Sequence, residues 1–204
     1  MEAAIFETHY EDYCRQIAEL DFSSIKDTLG IQLRGQEAII PFFGEEYIVS
    51  NKGITDTSGN RPHYGACVVL SKYLLLCPDT PVVDKEWAAL KDFHKFSQFT
   101  NLNVFNSDAE QPIIKRFSGR LDALSDAAQK LGGTPSDMGS SYDFAMEFTA
   151  LPQIGILLLF NDLDEDFPAT CSILFQRQAE FHLDPESLIM TGIAFTQRLK
   201  KLSS

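Results

Sequence analysis

Hydrophobic side chains dominate the stretch from Phe148 to Phe175. The seven residues Ile154–Phe160 carry no charge, and the acidic segment 161–166 separates them from a second apolar run, Ala169–Phe175. Such a run is too short to cross a bilayer, which takes about 20 residues. Its length and its turn-forming flanks are typical of a strand buried on both faces. The pattern therefore predicts a central antiparallel hairpin, with Pro168 at a strand boundary because proline lacks an N–H for the ladder.

The N-terminal half changes its hydrophobic period several times. Residues 3–20 repeat apolar side chains at steps of three and four, which predicts an amphipathic helix, and a second short helix is expected to stop at Gly30. From 31 to 49 the period shortens to two and predicts a three-stranded meander. The polar stretch 50–63 is expected to be a loop, and 64–76, which is apolar nearly all round, a core helix.

The C-terminal half begins with an ambiguous segment, 82–106, and then becomes regular. Residues 114–131 keep a three–four spacing that predicts helix, with Gly119 as a division into two. Asp184 before a proline predicts the start of a final helix, for which an interruption at Gly192 is one option. Together the patterns predict an α+β fold, a mainly antiparallel sheet with helices packed largely on one face.

Length and charge limit the function classes. A chain of 204 residues is expected to form one domain, spanning 1–204, with the 3–20 helix packed on it. A net charge of −12 argues against binding to nucleic acid or to an anionic membrane, because both require a basic surface. This charge does not exclude a basic protein partner. The N-terminus shows no signal-peptide pattern, so a cytoplasmic location is expected.

The four cysteines give no cofactor motif. Cys14, Cys67, Cys77 and Cys171 are scattered, and no two form the close pairs that zinc or iron–sulfur sites use. The sequence therefore predicts no cofactor bound by this chain alone. Without a secretory signal, the four are expected to be reduced thiols.

Short pieces of the sequence resemble a family of uncharacterised prokaryotic proteins, the domain of unknown function 3786. The resemblance covers about 38–200 and rests on Pro41–Gly44 with Tyr47, Tyr73–Leu75, Phe117, Leu131–Gly133, Leu151-Pro152, Asp164–Pro168, Leu174-Phe175 and Leu183–Glu186. It implies an accessory role in anaerobic metabolism, beside an iron–sulfur or corrinoid metalloprotein. It implies no catalytic residues.

The acidic turn offers one candidate site. Asp162, Asp164 and Asp166 stand at alternate positions, like the start of a calcium loop. However, the positions at which such a loop has glycine and glutamate hold Phe167 and Ile173. The favoured interpretation is a solvated hairpin tip whose charges oppose edge-to-edge association.

The loop before the core helix offers a second candidate. Arg61 is suited to a carboxylate or phosphate, and His63, next to Tyr64, is suited to proton transfer near neutral pH. A helix N-terminus also favours anions. No glycine-rich phosphate motif accompanies these residues, and an exposed loop with incidental polar residues is the favoured alternative.

The ambiguous segment offers a third candidate. His94 stands near Trp87, Phe93, Phe96 and Phe99, a composition that can line a pocket for a flat ligand. A flap of hydrophobic core is the favoured alternative. His9 and His182 are interpreted as residues at the border of a core face.

The sequence identifies no reaction. It contains no nucleophile elbow, and Cys67 and Cys77 stand in or beside an apolar helix, where a thiol keeps a high pKa. The first hypothesis is a non-catalytic accessory or binding protein. The second is a small-molecule or anion-binding protein, or an enzyme, in which the 60–64 loop and the segment around His94 meet in one cleft.

Overall fold

The fold is seen in a computed structural model that describes residues 2–96 and 102–203. The helices are α1 Glu2–Ile17, α2 Phe22–Leu29, α3 Tyr64–Leu75, α4 Leu102–Phe105, α5 Gln111–Phe117, α6 Leu121–Lys130, α7 Ala179–His182 and α8 Pro185–Leu202. A π-helical turn, Asn106–Glu110, joins α4 to α5. Short 3-10 turns cover Leu90–Asp92, His94–Phe96 and Asp137–Ser141.

The strands form two antiparallel sheets. They are β1 Gln32–Arg34, β2 Glu37–Phe42, β3 Glu45–Ser50, β4 Gly53–Asp56, β5 Trp87–Ala88, β6 Thr134–Pro135, β7 Phe144–Leu151, β8 Ile154–Asn161 and β9 Thr170–Gln176. The first sheet has the order β1-β2-β3-β4 and the second β5-β9-β8-β7-β6. The predicted α+β class is confirmed, and the strands are divided between a meander and a larger sheet.

The predicted central hairpin is confirmed as β8 and β9. Strand β8 lies between β7 and β9, and Leu157 and Leu158, which point to opposite faces, are both fully buried. Pro168 lies just before β9. The uncharged composition of β8 follows from this position, because a strand with neighbours on both edges and cover on both faces meets almost no water.

Several helix ends follow the chemistry of their terminal residues. The Asp21 carboxylate accepts a hydrogen bond from the Ser23 N–H at the start of α2, and the Asp184 carboxylate does the same for Ser187 in α8. Gly30 ends α2 at a φ of 67°, and Gly119 separates α5 from α6 at a φ of 70°. These left-handed angles favour glycine because it has no Cβ.

Two predictions about local structure are wrong. The stretch 50–63 is not loop throughout, since β4 adds a fourth strand to the meander and pairs with β3. Helix α8 is not interrupted at Gly192. A Cβ at Gly192 would lie 2.3 Å from Cε2 of Phe105, so this glycine permits close packing of α8 rather than a break in it.

One aromatic cluster joins the two sheets through α8. The Phe195 ring is fully buried, with centroids 4.7 Å from the Phe148 ring of β7 and 5.9 Å from the Phe43 ring. Phe43 follows β2 and donates its backbone N–H to the Ala150 carbonyl of β7 at 2.8 Å. The meander is thus attached to the larger sheet by both a hydrogen bond and a shared hydrophobic core.

Helix α1 packs on α3 and on the edge of the meander. The Tyr10 hydroxyl accepts a 2.9 Å hydrogen bond from the Ile54 N–H of β4, and Ile17 is buried in the common core. This contact satisfies a donor on an edge strand that has no further strand beside it.

We expect Gly192→Ala to destabilise the protein by about 1–3 kcal/mol, because the new methyl group overlaps the Phe105 ring. The sign of this change is informative. Helix propensity alone would stabilise Gly192→Ala, because alanine is the better helix former by about 1 kcal/mol. Urea unfolding measures the change. Gln197→Ala, at an exposed position of the same helix, is the control. A stabilised Gly192→Ala variant would contradict the packing described here.

Candidate functional site

The loop before α3 contributes to a cleft between the meander and α8. Its volume is about 570 Å³. We call it the acidic cleft, and its lining residues are Glu45, Glu46, Tyr47, Asp56, Thr57, Ser58, Pro62, His63, Tyr64, Gly65, Ala66, Met190, Ile193, Ala194, Gln197 and Arg198. The size is that of a typical ligand pocket.

Two helices provide the apolar floor of the acidic cleft. Ala66 comes from α3, and Met190, Ile193 and Ala194 come from α8. All four are half-buried, whereas Phe195 and Leu199, on the opposite side of α8, are fully buried. Helix α8 therefore presents one apolar face to the core and a second, narrower one to the cleft.

Acidic side chains stand on the meander side of the cleft. Glu45 and Glu46 belong to β3, and Asp56 ends β4. One Asp56 oxygen accepts hydrogen bonds from the backbone N–H groups of Ser58 and Asn60, which fixes the turn after β4. The Glu46 side chain is exposed, and its carboxylate forms no hydrogen bond or ion pair with any part of the chain that the structure describes.

Arg198 is the cation of the acidic cleft, and it is already engaged. Its guanidinium pairs with the Glu45 carboxylate at 3.1 Å and donates to the Tyr47 hydroxyl at 3.3 Å. It also lies 4.8 Å from the centroid of the Phe42 ring. Burial raises the pKa of Tyr47, as does its hydrogen bond to Glu45. Counting Glu45, Glu46 and Asp56 against Arg198, the lining keeps an excess of negative charge.

His63 and Tyr64 form the end of the cleft nearest α3. His63 precedes the helix and accepts a 3.2 Å hydrogen bond from the Gly65 N–H through Nδ1, which caps the N-terminus of α3. The Tyr64 ring packs on Phe6 of α1, with centroids 4.3 Å apart. The structure therefore places two of the predicted site residues, His63 and Tyr64, in one cleft.

Arg61, the third predicted residue of this loop, is directed elsewhere. Its guanidinium lies 2.9 Å from the Glu7 carboxylate and 3.6 Å from the centroid of the Tyr10 ring, both in α1. It is not among the residues that line the acidic cleft. The contacts found for Arg61 fasten α1 to the loop, and the predicted role in binding an anion has no geometric support.

Trp87 and His94 line no cleft together with the 60–64 loop in the part of the chain that the structure describes. Trp87, in β5, lines a different cleft on the larger sheet, and the two lining sets share no residue. His94 lies in a 3-10 turn and lines neither cleft. Phe93 is buried in the core, in agreement with the alternative interpretation, whereas Phe99 lies outside the described residues. The hypothesis of one shared cleft is therefore not supported.

Two carboxylates of the acidic turn, those of Asp162 and Asp164, accept backbone hydrogen bonds. One oxygen of Asp162 accepts from the Gly119 and Leu163 N–H groups, and one of Asp164 accepts from Asp166 and Phe167. Within residues 2–96 and 102–203, no three His, Cys, Asp or Glu side chains are arranged to hold a metal ion. These hydrogen bonds give Asp162 and Asp164 a structural role in shaping the turn.

The thiols agree with the sequence-based expectation. All four cysteines are free, and Cys67 and Cys171 are buried. Burial raises the pKa of Cys67 and of Cys77, and raises that of Cys171 well above its ordinary value. A thiol that keeps its proton is a poor nucleophile, so none of these three is an activated cysteine.

The two sheets and the acidic cleft define an α+β protein in which no described helix is long and apolar enough to cross a bilayer. Residues 21–198 match the family described as Domain of unknown function (DUF3786), so the chain belongs to that family. The resemblance read from the sequence is thereby confirmed, and α1 precedes the matched range. Comparisons with curated proteins and with solved structures find no match.

The most perturbed histidine lies outside both clefts. His182, in α7, is 1% exposed, and its ring centroid is 5.9 Å from that of Tyr73. Neither ring nitrogen forms a hydrogen bond with a described group. Burial, together with the charge of Lys95, lowers the pKa of His182 to about 4. The sequence-based placement at a core border is wrong, because the side chain is fully inside.

We expect the free energy of unfolding to fall as the pH drops from about 6.5 to about 4, because over this range the unfolded histidine takes up a proton that the buried ring excludes. The contribution of His182 is on the order of 3 kcal/mol. In the His182→Leu variant, urea titrations should show a smaller dependence on pH. Stability at pH above 8, where neither state is protonated, measures the packing change separately. If the free energy of unfolding depends on pH in His182→Leu as it does in the wild type, the loss of stability at low pH comes from other titrating groups.

Proposed function

We propose that this chain is a non-catalytic accessory protein that binds a basic, partly apolar segment of a partner protein in the acidic cleft. The observation that carries the proposal is the combination of an apolar floor on α3 and α8 with a carboxylate rim on β3. A small apolar surface binds through burial, and the surrounding charges select the partner.

Charge supports a cationic occupant. Glu46 has no partner among the described residues, and the whole chain carries a net charge of −12. A long-range negative field accelerates the approach of a basic segment and disfavours an acidic one. Arg198 does not reverse this preference, because its Nη2 already pairs with Glu45 and donates to Tyr47.

The floor supports an occupant with apolar side chains. Met190, Ile193 and Ala194 follow the helical spacing of α8, so they form a short continuous surface rather than isolated contacts. A cleft of about 570 Å³ accepts a few side chains of an amphipathic helix or an extended segment. A partner segment with lysine or arginine next to leucine or phenylalanine matches both parts of the cleft: the basic residue suits the carboxylate rim, and the apolar residue suits the floor.

The identity of the partner is the finer part of the proposal. The resemblance to this prokaryotic family points to a cytoplasmic iron–sulfur or corrinoid metalloprotein of anaerobic metabolism. The buried, protonated thiols of this chain suit a role in which the metal centre belongs to the partner.

A labelled amphipathic peptide of lysine and leucine tests the acidic cleft directly. Fluorescence anisotropy should show binding that weakens as salt is added, because added ions screen the rim. Glu46→Lys should weaken it by about tenfold, since it replaces an attraction with a repulsion. Ile193→Asp should weaken peptide binding at least as much, because it replaces an apolar side chain of the floor with a carboxylate.

Glu165→Lys is the matched control, because it makes the same change of charge on the exposed β8–β9 turn, away from the cleft. A peptide of the same pattern with glutamate in place of lysine should not bind. Equal losses in Glu46→Lys and Glu165→Lys would reduce the interaction to non-specific attraction by net charge, and would refute the assignment to the cleft.

A second candidate is a small-molecule-binding protein or enzyme that uses the same cleft. It is favoured by the position of Pro62, His63 and Tyr64 on the wall of the acidic cleft. Native mass spectrometry of the purified chain distinguishes the two candidates. A stoichiometric metabolite that is lost in Ile193→Asp would favour the small ligand, and a co-purifying protein lost in the same variant would favour the accessory role.

A further inference from the structure

A row of four residues crosses one face of the larger sheet. Trp87 of β5 pairs with Gln176 of β9, and Thr149 of β7 pairs with Gly155 of β8. Because Phe175 pairs with Ile156, Gln176 and Gly155 are also neighbours across the strands. Residues paired in this way point to the same face, so the row runs from an indole through an amide and a glycine to a hydroxyl.

This row is the floor of the second cleft, which we call the sheet-face cleft. Its volume is about 290 Å³. Its lining residues are Lys85, Trp87, Gly132, Thr134, Glu147, Phe148, Thr149, Pro152, Gln153, Ile154, Gly155, Gln176 and Gln178. It shares none of them with the acidic cleft. The helices of the core pack on the opposite face, where Phe148, Leu158 and Phe175 point.

Gly155 creates the space in the row. A Cβ at this position would lie 2.7 Å from Cδ of Gln176, so the amide of Gln176 lies across the strand where a side chain would otherwise stand. The glycine therefore leaves room for the Gln176 amide over β8. Any larger residue would displace it.

The polar groups of the row are available to a ligand. Among the described residues, the Trp87 indole N–H, the Gln176 amide and the Thr149 hydroxyl make no hydrogen bond with another part of the chain. Glu147 uses one oxygen for the Ser136 hydroxyl, at 2.8 Å, and keeps the second. Lys85 and Glu147 provide one charge of each sign, so the cleft does not select for a charged molecule.

These groups match one chemical class. An indole packs against the C–H face of a sugar ring, and amide, hydroxyl and carboxylate groups pair with the hydroxyls at its edge. A cleft of about 290 Å³ is at the small end of ligand pockets and fits one ring. We propose that the sheet-face cleft binds a neutral, hydroxyl-rich ring: a monosaccharide or the terminal unit of a glycan.

The protein contains a built-in reporter for this proposal. Trp87 is the single tryptophan in the sequence, so tryptophan fluorescence comes from the cleft alone. Titration with aldohexoses and their N-acetylamino forms should shift the emission, with a Kd on the order of millimolar for a ligand of about a dozen heavy atoms. Saturation-transfer NMR on the same sugars should show contact through ring C–H protons. Equal affinity for a hexose and its disaccharide would assign a free sugar, and tighter binding of the disaccharide would assign a glycan end.

Variants make the assignment specific. Gln176→Ala should weaken binding at least fivefold, and Gly155→Ala should do the same by displacing the amide. Ser172→Ala is the matched control, because Ser172 lies on the same face of β9 but outside the cleft, and it should bind as the wild type does. Since Glu46→Lys affects only the acidic cleft, sugar binding should survive in that variant. No fluorescence or NMR response to any sugar, or an equal response in Gln176→Ala, would overturn the proposal.

Discussion

The packing of Phe195 holds the two sheets together. Its ring, fully buried in α8, touches Phe148 of the larger sheet and Phe43 at the end of β2. Truncating a buried phenylalanine costs about 3–5 kcal/mol, a large share of the roughly 5–15 kcal/mol that stabilises a domain. The hydrogen bond from the Phe43 N–H to the Ala150 carbonyl holds the end of β2 against β7 at the same place. The position of α8, and with it the acidic cleft, depends on this cluster.

The two clefts are consequences of how the core is covered. Helix α8 buries the side that carries Phe195 and leaves Ile193 in the cleft that Glu45 and Glu46 of β3 also line. The larger sheet buries the face that carries Phe148 and leaves the row from Trp87 to Thr149 on the other face. Each cleft is therefore the outer surface of an element whose inner surface builds the core.

Local signals in the sequence predicted the elements well. The uncharged run Ile154–Phe160 became β8, and Gly119 divided two helices, because these outcomes depend on neighbours in the chain. Strand β4 was missed, since its four residues pair only because β3 is beside them. Gly192 was misjudged for a similar reason: its role is set by the Phe105 ring, which is distant in sequence.

The sequence by itself determined the α+β class, the family, the central hairpin and the acidic charge, and it named His63, Tyr64 and Trp87 as candidate site residues. Only the tertiary structure decided which of them stand together. It placed His63 in the same cleft as Arg198 and Ile193, placed Trp87 in a different cleft, and paired Arg61 with Glu7. The physical reason is that periodicity records which side of an element is buried, whereas a cleft requires residues from three elements whose relative positions are fixed by packing alone.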